Sequence, residues 1–143
     1  MNIPKEKATD DMMNELEAAE DYESFAAKNK DIFVKGSVAD YLNRLLAEKD
    51  MPLKEAVKNS GIERIYAYHI FSGKKIPSRD KLLAIAIGMK LSAEETQALL
   101  KHTCNRPLYP KDGRDSVILY ALMNGYDNIK TSALLYDNNF ESL

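Results

Sequence analysis

Apolar residues recur along this chain at spacings of three and four positions, which is the period of an amphipathic α-helix. Two segments show the period best, with apolar positions at Val38, Leu42, Leu45 and Leu46 and at Leu82, Leu83, Ile85, Ala86 and Met89. No segment alternates apolar and polar residues with the period of two that strands require. The pattern therefore predicts an all-α protein.

Breaks in this pattern divide the chain into three parts. Residues 1–36 are predicted to form an acidic helical N-terminal extension, residues 37–103 a central domain, and residues 104–143 a C-terminal extension that contains a helical pair. Outside the central domain, helices are predicted at about 10–20, 22–28, 114–123 and 129–136. Each of these helices is short, and a short helix is stable only when it docks on another element.

Helix boundaries are clearest in the central domain. Ser92 and Glu95 form the serine-x-x-glutamate capping box that begins a helix. Gly61 and Gly73 end two successive helices, because glycine accepts the left-handed conformation that often follows a helix. The spacing predicts a short helix between the two glycines, from about Glu63 to Phe71.

The composition is that of an ordinary soluble protein, with 45% apolar and 29% charged residues. No apolar run approaches the roughly 20 residues needed to cross a bilayer, and the first residues lack the apolar core of a secretory signal. The single cysteine, Cys104, has no partner for a disulfide, which favours a reducing compartment. We therefore expect a cytoplasmic protein that does not enter a membrane.

The net charge of −2 hides an uneven distribution along the chain. Residues 1–34 contain 4 Lys or Arg against 9 Asp or Glu, residues 35–111 contain 14 against 8, and residues 112–143 contain 2 against 5. A basic centre is therefore flanked by acidic ends. Because salt screens charges beyond about 10 Å, the local balance governs encounters with polyanions more than the total does. The same basic residues also fit ordinary solvated helix faces.

The order of helices and glycines between residues 38 and 100 is typical of a helix-turn-helix, whose second helix enters the major groove of DNA. Residues 52–78 resemble, without a gap, the helix-turn-helix domains of the lambda-repressor and Cro type, also called XRE-like. Gly61 matches the turn glycine of that family, and the segment GKKIPS at 73–78 matches its closing motif. The resemblance implies a repressor-like domain of five helices, to which the helical leader and the C-terminal pair are attached.

The resemblance also implies which residues touch DNA. The implied groove-facing residues are Arg64, Ile65, Tyr66 and His69, and the implied backbone contacts are Lys74 and Lys75. In these roles Arg64 would form two hydrogen bonds to the edge of a guanine, and Ile65 would contact the methyl group of a thymine. Tyr66 would hydrogen-bond a phosphate, and His69 would donate to or accept from a base edge.

We therefore expect a sequence-specific DNA-binding transcriptional regulator rather than an enzyme. Operators usually offer two half-sites, so a homodimer on double-stranded DNA is expected, with residues 114–136 as the contact between subunits. No cofactor is expected. His102 and Cys104 offer two metal ligands without a second pair nearby, so we predict no metal site and expect Cys104 to be a buried small apolar residue.

The alternative function is a protein–protein interaction module that reuses the same scaffold without binding DNA. Three positions depart from the family pattern: Leu53 stands where glutamine is usual, Val57 where alanine is usual, and Phe71 where glutamate is usual. A helix rich in tyrosine would also suit a protein partner, because aromatic residues and arginine anchor protein interfaces. The acidic leader has two open roles, packing on the central domain or shielding its basic face.

Overall fold

The structure of the chain, a computed structural model, describes residues 9–29 and 37–143. All regular elements within these ranges are helices and none is a strand, which confirms the predicted all-α class. The described helices are α1 (Thr9–Ala18), α2 (Tyr22–Lys28), α3 (Ser37–Lys49), α4 (Leu53–Ser60), α5 (Arg64–Ser72), α6 (Arg79–Gly88), α7 (Ala93–His102), α8 (Gly113–Met123) and α9 (Asn128–Asp137). None of them is long and apolar enough to cross a membrane.

The chain divides into two compact units, which we call the N-terminal unit (Met1–Lys35) and the main unit (Gly36–Leu143). The further predicted division, between a central domain and an extension that begins at residue 104, stays a prediction. The bounds of α2 are as predicted, whereas α1 is shorter than the predicted first helix.

In the N-terminal unit, α2 has the more defined start. Its N-cap is Asp21, whose side chain accepts a hydrogen bond from the N–H of Ser24 at 2.7 Å. Phe25 is buried, and the side-chain amide of Asn29 donates to Glu15 at 3.1 Å, which links the end of α2 to α1. By contrast, α1 has no buried residue. Packing of apolar side chains therefore contributes less to α1 than to α2.

Helix ends in the main unit follow the predicted signals closely. Gly61 and Gly73 follow α4 and α5 in the left-handed conformation, with φ of 70° and 86°. The capping box of α7 is present, because the Ser92 hydroxyl accepts from the N–H of Glu95 and the Glu95 carboxylate accepts from the N–H of Ser92. The helix between the glycines begins one residue later than predicted, because Glu63 is its N-cap.

A first core cluster fills the space between helices α3 to α7. Its fully buried members are Leu42, Ala56, Ala67, Ile70, Ile85, Ala86, Met89 and Leu99. Helix α4 packs on α5 and α6, and α3 packs on α5. Asn43 adds to the last contact, since its side-chain amide donates to the backbone oxygen of Phe71 at 2.9 Å. These contacts seat α5 on the rest of the unit.

A second core cluster joins α6 and α7 to the C-terminal helices. Its members are Leu83, Ile87, Leu100, Leu108, Ile118, Leu119, Leu122 and Leu135. Because α6 is buried at every position from Leu82 to Gly88, it contributes to both clusters. Most apolar side chains of α8 face the chain's own core. The large apolar side chains that α8 and α9 leave exposed are Tyr120, Met123, Ile129 and Tyr136.

Two crossed ion pairs fasten α8 to the start of α6. Arg79 donates to the two carboxylate oxygens of Asp115 at 3.1 and 3.0 Å, and Arg114 donates to those of Asp80 at 2.8 and 3.0 Å. Burial raises the pKa of Asp115, but hydrogen bonds from Arg79 and from the N–H of Tyr109 outweigh it, so the pKa of this carboxyl lies below its usual value. The carboxylate therefore stays ionised although its side chain is only 1% exposed.

One expectation about the end of α7 is wrong. Cys104 is exposed rather than buried. It adopts the left-handed conformation, with φ of 60°, and its N–H donates to the backbone oxygen of Lys101 at 3.2 Å. The chain leaves α7 through this tight turn at the surface, so no neighbouring element covers the cysteine side chain.

Candidate nucleic-acid interface

The residues of α5 divide between the core and the surface. Its inner side is formed by Ala67, Ile70 and Phe71, which are at most 4% exposed. By the helical period, the opposite side carries the residues that we call the outer face of α5: Arg64, Ile65, Tyr68, His69 and Ser72. Ile65 is 64% exposed. Because the core holds the inner side in place, the outer face has a fixed orientation.

The N-terminus of α5 is capped by a carboxylate. The side chain of Glu63 accepts hydrogen bonds from the N–H groups of Ile65 at 3.0 Å and Tyr66 at 2.8 Å. These two bonds lower the pKa of the Glu63 carboxyl below its ordinary value, and the bond from Tyr66 has the larger effect. A negative charge also suits the positive end of the helix dipole. Two of the N–H groups that could bind a phosphate at this helix end are therefore already occupied.

The C-terminus of α5 leads directly into two exposed cations. The N–H groups of Lys74 and Lys75 both donate to the backbone oxygen of His69, at 2.9 and 3.2 Å. Gly73 permits this geometry through its positive φ of 86°. The backbone of the two lysines is thus fixed at the end of the helix, while their side chains reach into solvent.

Two tyrosine rings lie close to the cationic side chains of Arg64 and Lys81 beside the outer face of α5. The guanidinium carbon of Arg64 lies 5.9 Å from the ring centre of Tyr68, and the ammonium nitrogen of Lys81 lies 5.0 Å from the ring centre of Tyr66. Both distances are within the range of cation–π attraction. Both rings also pack against the first core cluster. The tyrosines therefore anchor two positive charges to the core beside α5.

All six predicted contact residues lie on α5 or in the segment just after it, but their exposure differs. Arg64, Ile65, Lys74 and Lys75 are exposed, whereas Tyr66 and His69 are half-buried. Tyr66 lies at the border between the outer face and the core, with the Lys81 side chain over its ring. The surface that α5 offers to a partner is therefore dominated by arginine, isoleucine and the two lysines.

Three other residues at this site are not among the six predicted contacts. The sequence places Tyr68 on the exposed side of the helix, where packing against a neighbouring helix is its alternative role, and its spacing of four positions from Arg64 fits the outer face. An acid just before a helix is a known cap signal, which could have identified Glu63. Lys81 comes from the first turn of α6, and no local pattern connects it to Tyr66.

The three departures from the family pattern are explained by packing. Val57 and Phe71 are each 4% exposed and belong to the first core cluster, and Leu53 is partly buried against the same cluster. These side chains contribute apolar contacts to the core beneath α4 and α5. Phe71, being buried, is inaccessible to a protein partner.

His102 belongs to an aromatic contact. Its ring lies 4.4 Å from the ring of Tyr41, and the guanidinium carbon of Arg44 lies 5.2 Å from the centre of the same tyrosine ring. Burial, followed by the charge of Arg44, lowers the pKa of His102 below its ordinary value. Within residues 9–29 and 37–143, no group of three or more His, Cys, Asp or Glu residues has the arrangement of a metal site.

No protein-family model, no curated protein and no solved structure matches this chain. The site has therefore to be interpreted from the chemistry of its own side chains.

Proposed function

We propose that the protein is a cytoplasmic, sequence-specific DNA-binding transcriptional regulator without enzymatic activity. In this proposal, helices α3 to α7 form a repressor-like helix-turn-helix domain of the XRE type, and α5 enters the major groove. The positive-φ glycines after α4 and α5 support the proposal, as does the packing of α4 on α5. The acidic N-terminal unit and the C-terminal helices α8 and α9 flank this domain in sequence.

The observation that carries the proposal is the outer face of α5, followed at once by two lysines. With nine residues, α5 has about two and a half turns, and the diameter of an α-helix with its side chains, about 10–12 Å, fits a major groove about 12 Å wide. Arg64 and Ile65 stand in its first turn, where reading helices contact base edges. Arg64 is suited to the two acceptors of guanine, and Ile65 to the methyl group of thymine. His69, one turn further on, completes the set of base contacts.

Phosphate contacts come from the other end of the helix. Because Glu63 occupies the N–H groups at the start of α5, a phosphate there would meet a carboxylate. Lys74 and Lys75 instead supply cations at the end of α5, and Lys81 supplies another from α6. Contacts with the phosphate backbone position a protein on DNA and make its affinity depend on salt.

A homodimer is part of the proposal, since two heads on two half-sites bind far more tightly than one. The second core cluster uses most of the apolar side chains of α8. A subunit contact through the C-terminal helices would therefore rest on exposed side chains such as Tyr120 and Tyr136.

A protein-interaction module is the second candidate, and one observation favours it. Ile65 and Ile76 are 64% and 84% exposed, on and just after α5, where two tyrosine rings also reach the surface. Apolar and aromatic side chains of this kind anchor protein interfaces. Binding to a protein partner would depend on this apolar patch, whereas DNA binding would depend on the lysines. Mutations of the two sets of residues should therefore affect the two functions differently.

A salt titration of binding to a labelled DNA duplex tests the proposal. We expect the logarithm of the affinity to fall with the logarithm of salt concentration by about 0.9 for each phosphate neutralised. The double variant Arg64→Ala, Lys74→Ala should weaken binding by tenfold or more, while Lys101→Ala, an exposed lysine of α7, serves as the matched control. Binding that is insensitive to salt, or equal in both variants, would contradict the proposal.

The alternative function makes the opposite prediction. The double variant Ile65→Ser, Ile76→Ser removes exposed apolar groups without opening the core. If a protein partner binds this face, the isoleucine variant should lose the partner, whereas the Arg64→Ala, Lys74→Ala variant should still bind it. If DNA binds this face, loss of Ile65 should relax the preference for one base pair and leave non-specific binding unchanged.

A change at Glu63 sharpens the test further. Glu63→Ser keeps an oxygen cap on α5 but removes the negative charge. We expect tighter DNA binding by roughly threefold to tenfold at low salt, because the helix end then no longer repels phosphate. The matched control is Glu94→Ser in the first turn of α7, which should leave the affinity unchanged. Weaker DNA binding by Glu63→Ser would contradict the proposed orientation of α5.

A further inference from the structure

The main unit contains a cleft of about 900 Å³ at the junction of six helices. Its walls come from α4, from the ends of α3, α6 and α8 and from the starts of α7 and α9. The apolar lining consists of Ile87, Leu91, Leu122, Met123, Tyr126 and Ile129. Its volume lies within the range of about 300–1,000 Å³ that is typical of sites for small molecules.

The start of α9 fixes one wall of this cleft. The side-chain amide of Asn128 donates to the backbone oxygens of Asn59 and Ala84, each at 2.8 Å. These two bonds tie the loop between α8 and α9 to the ends of two other helices. Since the same hydrogen bonds need no ligand, the cleft is already formed in the free chain, as most ligand sites are.

Some charged residues around the cleft already form a hydrogen bond or an ion pair with another residue of the chain, and others do not. The ammonium group of Lys49 donates to Glu95 at 2.7 Å, and the carboxylate of Asp127 accepts from the N–H of Lys130 at 2.8 Å. By contrast, Lys58 and Lys90 form no ion pair within the part of the chain that the structure describes.

Glu55 is the one remaining carboxylate in the lining among these described residues. Lys58, Lys90 and Glu55 are therefore the charged side chains available to a ligand beside a mainly apolar wall, while Asp127 keeps its charge but is engaged in capping α9. This combination favours a ligand with an apolar body and a negatively charged group.

We propose that this cleft binds a small organic anion with an apolar body, such as an aromatic or medium-chain carboxylate or sulfonate. The anionic group contacts Lys58 and Lys90, and the apolar body lies against Ile87, Leu122 and Ile129. The proposal goes beyond DNA binding and does not depend on it. The cleft also borders Gly61, in the turn that leads into α5, so a bound ligand would contact this turn.

Two fluorescent probes of almost the same shape test the proposal on the full chain. 8-Anilinonaphthalene-1-sulfonate carries an apolar aromatic body and one negative charge, whereas N-phenyl-1-naphthylamine has the same body without the charge. We expect the sulfonate to bind saturably, with one molecule per chain. The double variant Lys58→Gln, Lys90→Gln should weaken it by about tenfold and leave the neutral probe unchanged.

Lys111→Gln is the matched control, because this exposed lysine lies outside the cleft lining. It should bind both probes as the unmodified chain does. Ile129→Glu is a second variant: this side chain is 84% exposed, so the substitution does not disturb the core, and its carboxylate should repel the sulfonate. It should weaken the sulfonate more than the neutral probe.

Three results would overturn the proposal. They are binding of the sulfonate that does not saturate, equal affinities in the Lys58, Lys90 variant and in the control, and equal losses for both probes in the variants. No DNA is present in these titrations. If the protein binds the sulfonate in the cleft but binds no DNA duplex, the cleft proposal stands and the proposed DNA-binding function fails. If it binds DNA but not the sulfonate, the proposed function stands and the cleft proposal fails.

Discussion

The two core clusters of the main unit are held together in different ways, although α6 belongs to both. The first cluster is made by helices that follow one another in sequence, α3 to α7, each with an apolar side. The second cluster depends on polar contacts between residues that are distant in sequence. Arg79 reaches Asp115, which lies 36 positions further on, and Asn128 reaches Asn59 across 69 positions.

This difference separates two contributions to the fold. Apolar periodicity decides which side of a surface helix such as α3 or α5 is buried, whereas α6 is buried on all sides. Polar contacts over long distances decide where α8 and α9 lie, because a bidentate pair such as Arg79 and Asp115 requires one geometry. Since α6 is buried in both clusters, we expect the clusters to unfold together rather than separately.

The largest effect is expected from removing one fully buried isoleucine from either cluster. Ile70→Ala in the first cluster and Ile118→Ala in the second should each destabilise the protein by about 4 kcal/mol, through lost burial and a new cavity. Urea unfolding, followed by circular dichroism and by tyrosine fluorescence, should show one shared transition in both variants. Two separate transitions in Ile118→Ala would show that the clusters are independent.

Breaking the buried ion pair should affect the second cluster by slightly less. Asp115→Asn should cost about 3 kcal/mol, because both side chains of this pair are largely buried from solvent, Asp115 at 1% and Arg79 at 17% exposed, and Arg79 loses its charged partner. Asp80→Asn is the matched control: its side chain is 41% exposed, so the loss should be about 1 kcal/mol or less. Both values come from urea unfolding. Equal losses in the two variants would argue against a special role for Asp115.

A smaller loss is expected from the amide that holds the start of α9. Asn128→Ala removes donors from the backbone oxygens of Asn59 and Ala84 and should cost about 1.5 kcal/mol. Asn138→Ala is the control, since that exposed amide donates only within its own helix, to Leu134. Thermal unfolding would compare the two variants. A loss in the control as large as that in Asn128→Ala would mean that the long-range bonds contribute nothing extra.

The sequence predicts the first cluster better than the second for a physical reason. The signals for the first cluster are local: the capping box of Ser92 and Glu95, the left-handed turn at Gly61, and apolar residues at helical spacing. The side chain of Asn128 reaches partners that no local pattern identifies. Long-range contacts of this kind depend on how complete helices pack, so short windows of sequence do not contain them.

The same limit applies to the candidate site. The positions of Arg64 and Ile65 on the outer face follow from helical spacing and from the turn glycine. Lys81 joins the site only through the folded chain, which brings its ammonium group, from the first turn of α6, to 5.0 Å from the ring centre of Tyr66. The exposure of Cys104 was missed because a hydrophobicity pattern does not show that the chain leaves α7 through a left-handed turn.

The smallest effect is expected from pH, and it belongs to the contact between His102 at the end of α7 and Tyr41 of α3. The pKa of His102 is lowered by burial and by Arg44, so below its ordinary value of 6.5 the unfolded chain binds the proton more readily than the folded chain. Stability should therefore fall as pH decreases from about 6.5 through the lower folded pKa.

Screening at a half-buried group should keep this loss below about 1 kcal/mol. His102→Gln should remove it, which urea unfolding at about pH 7.5 and about pH 5.5 would measure. The contribution of Asp115 does not interfere, because its pKa is lowered and its stabilisation is lost only below its ordinary value of 3.8. An unchanged pH dependence in His102→Gln would contradict this assignment.

The proposal that the outer face of α5 reads DNA can be tested most directly by selecting bound sequences from random duplex DNA with the full chain. We expect enrichment of one recurrent motif, arranged as two half-sites about one helical turn apart, with a guanine preference that disappears in Arg64→Ala. Failure to enrich any sequence, or enrichment of the same motif by Arg64→Ala, would contradict it.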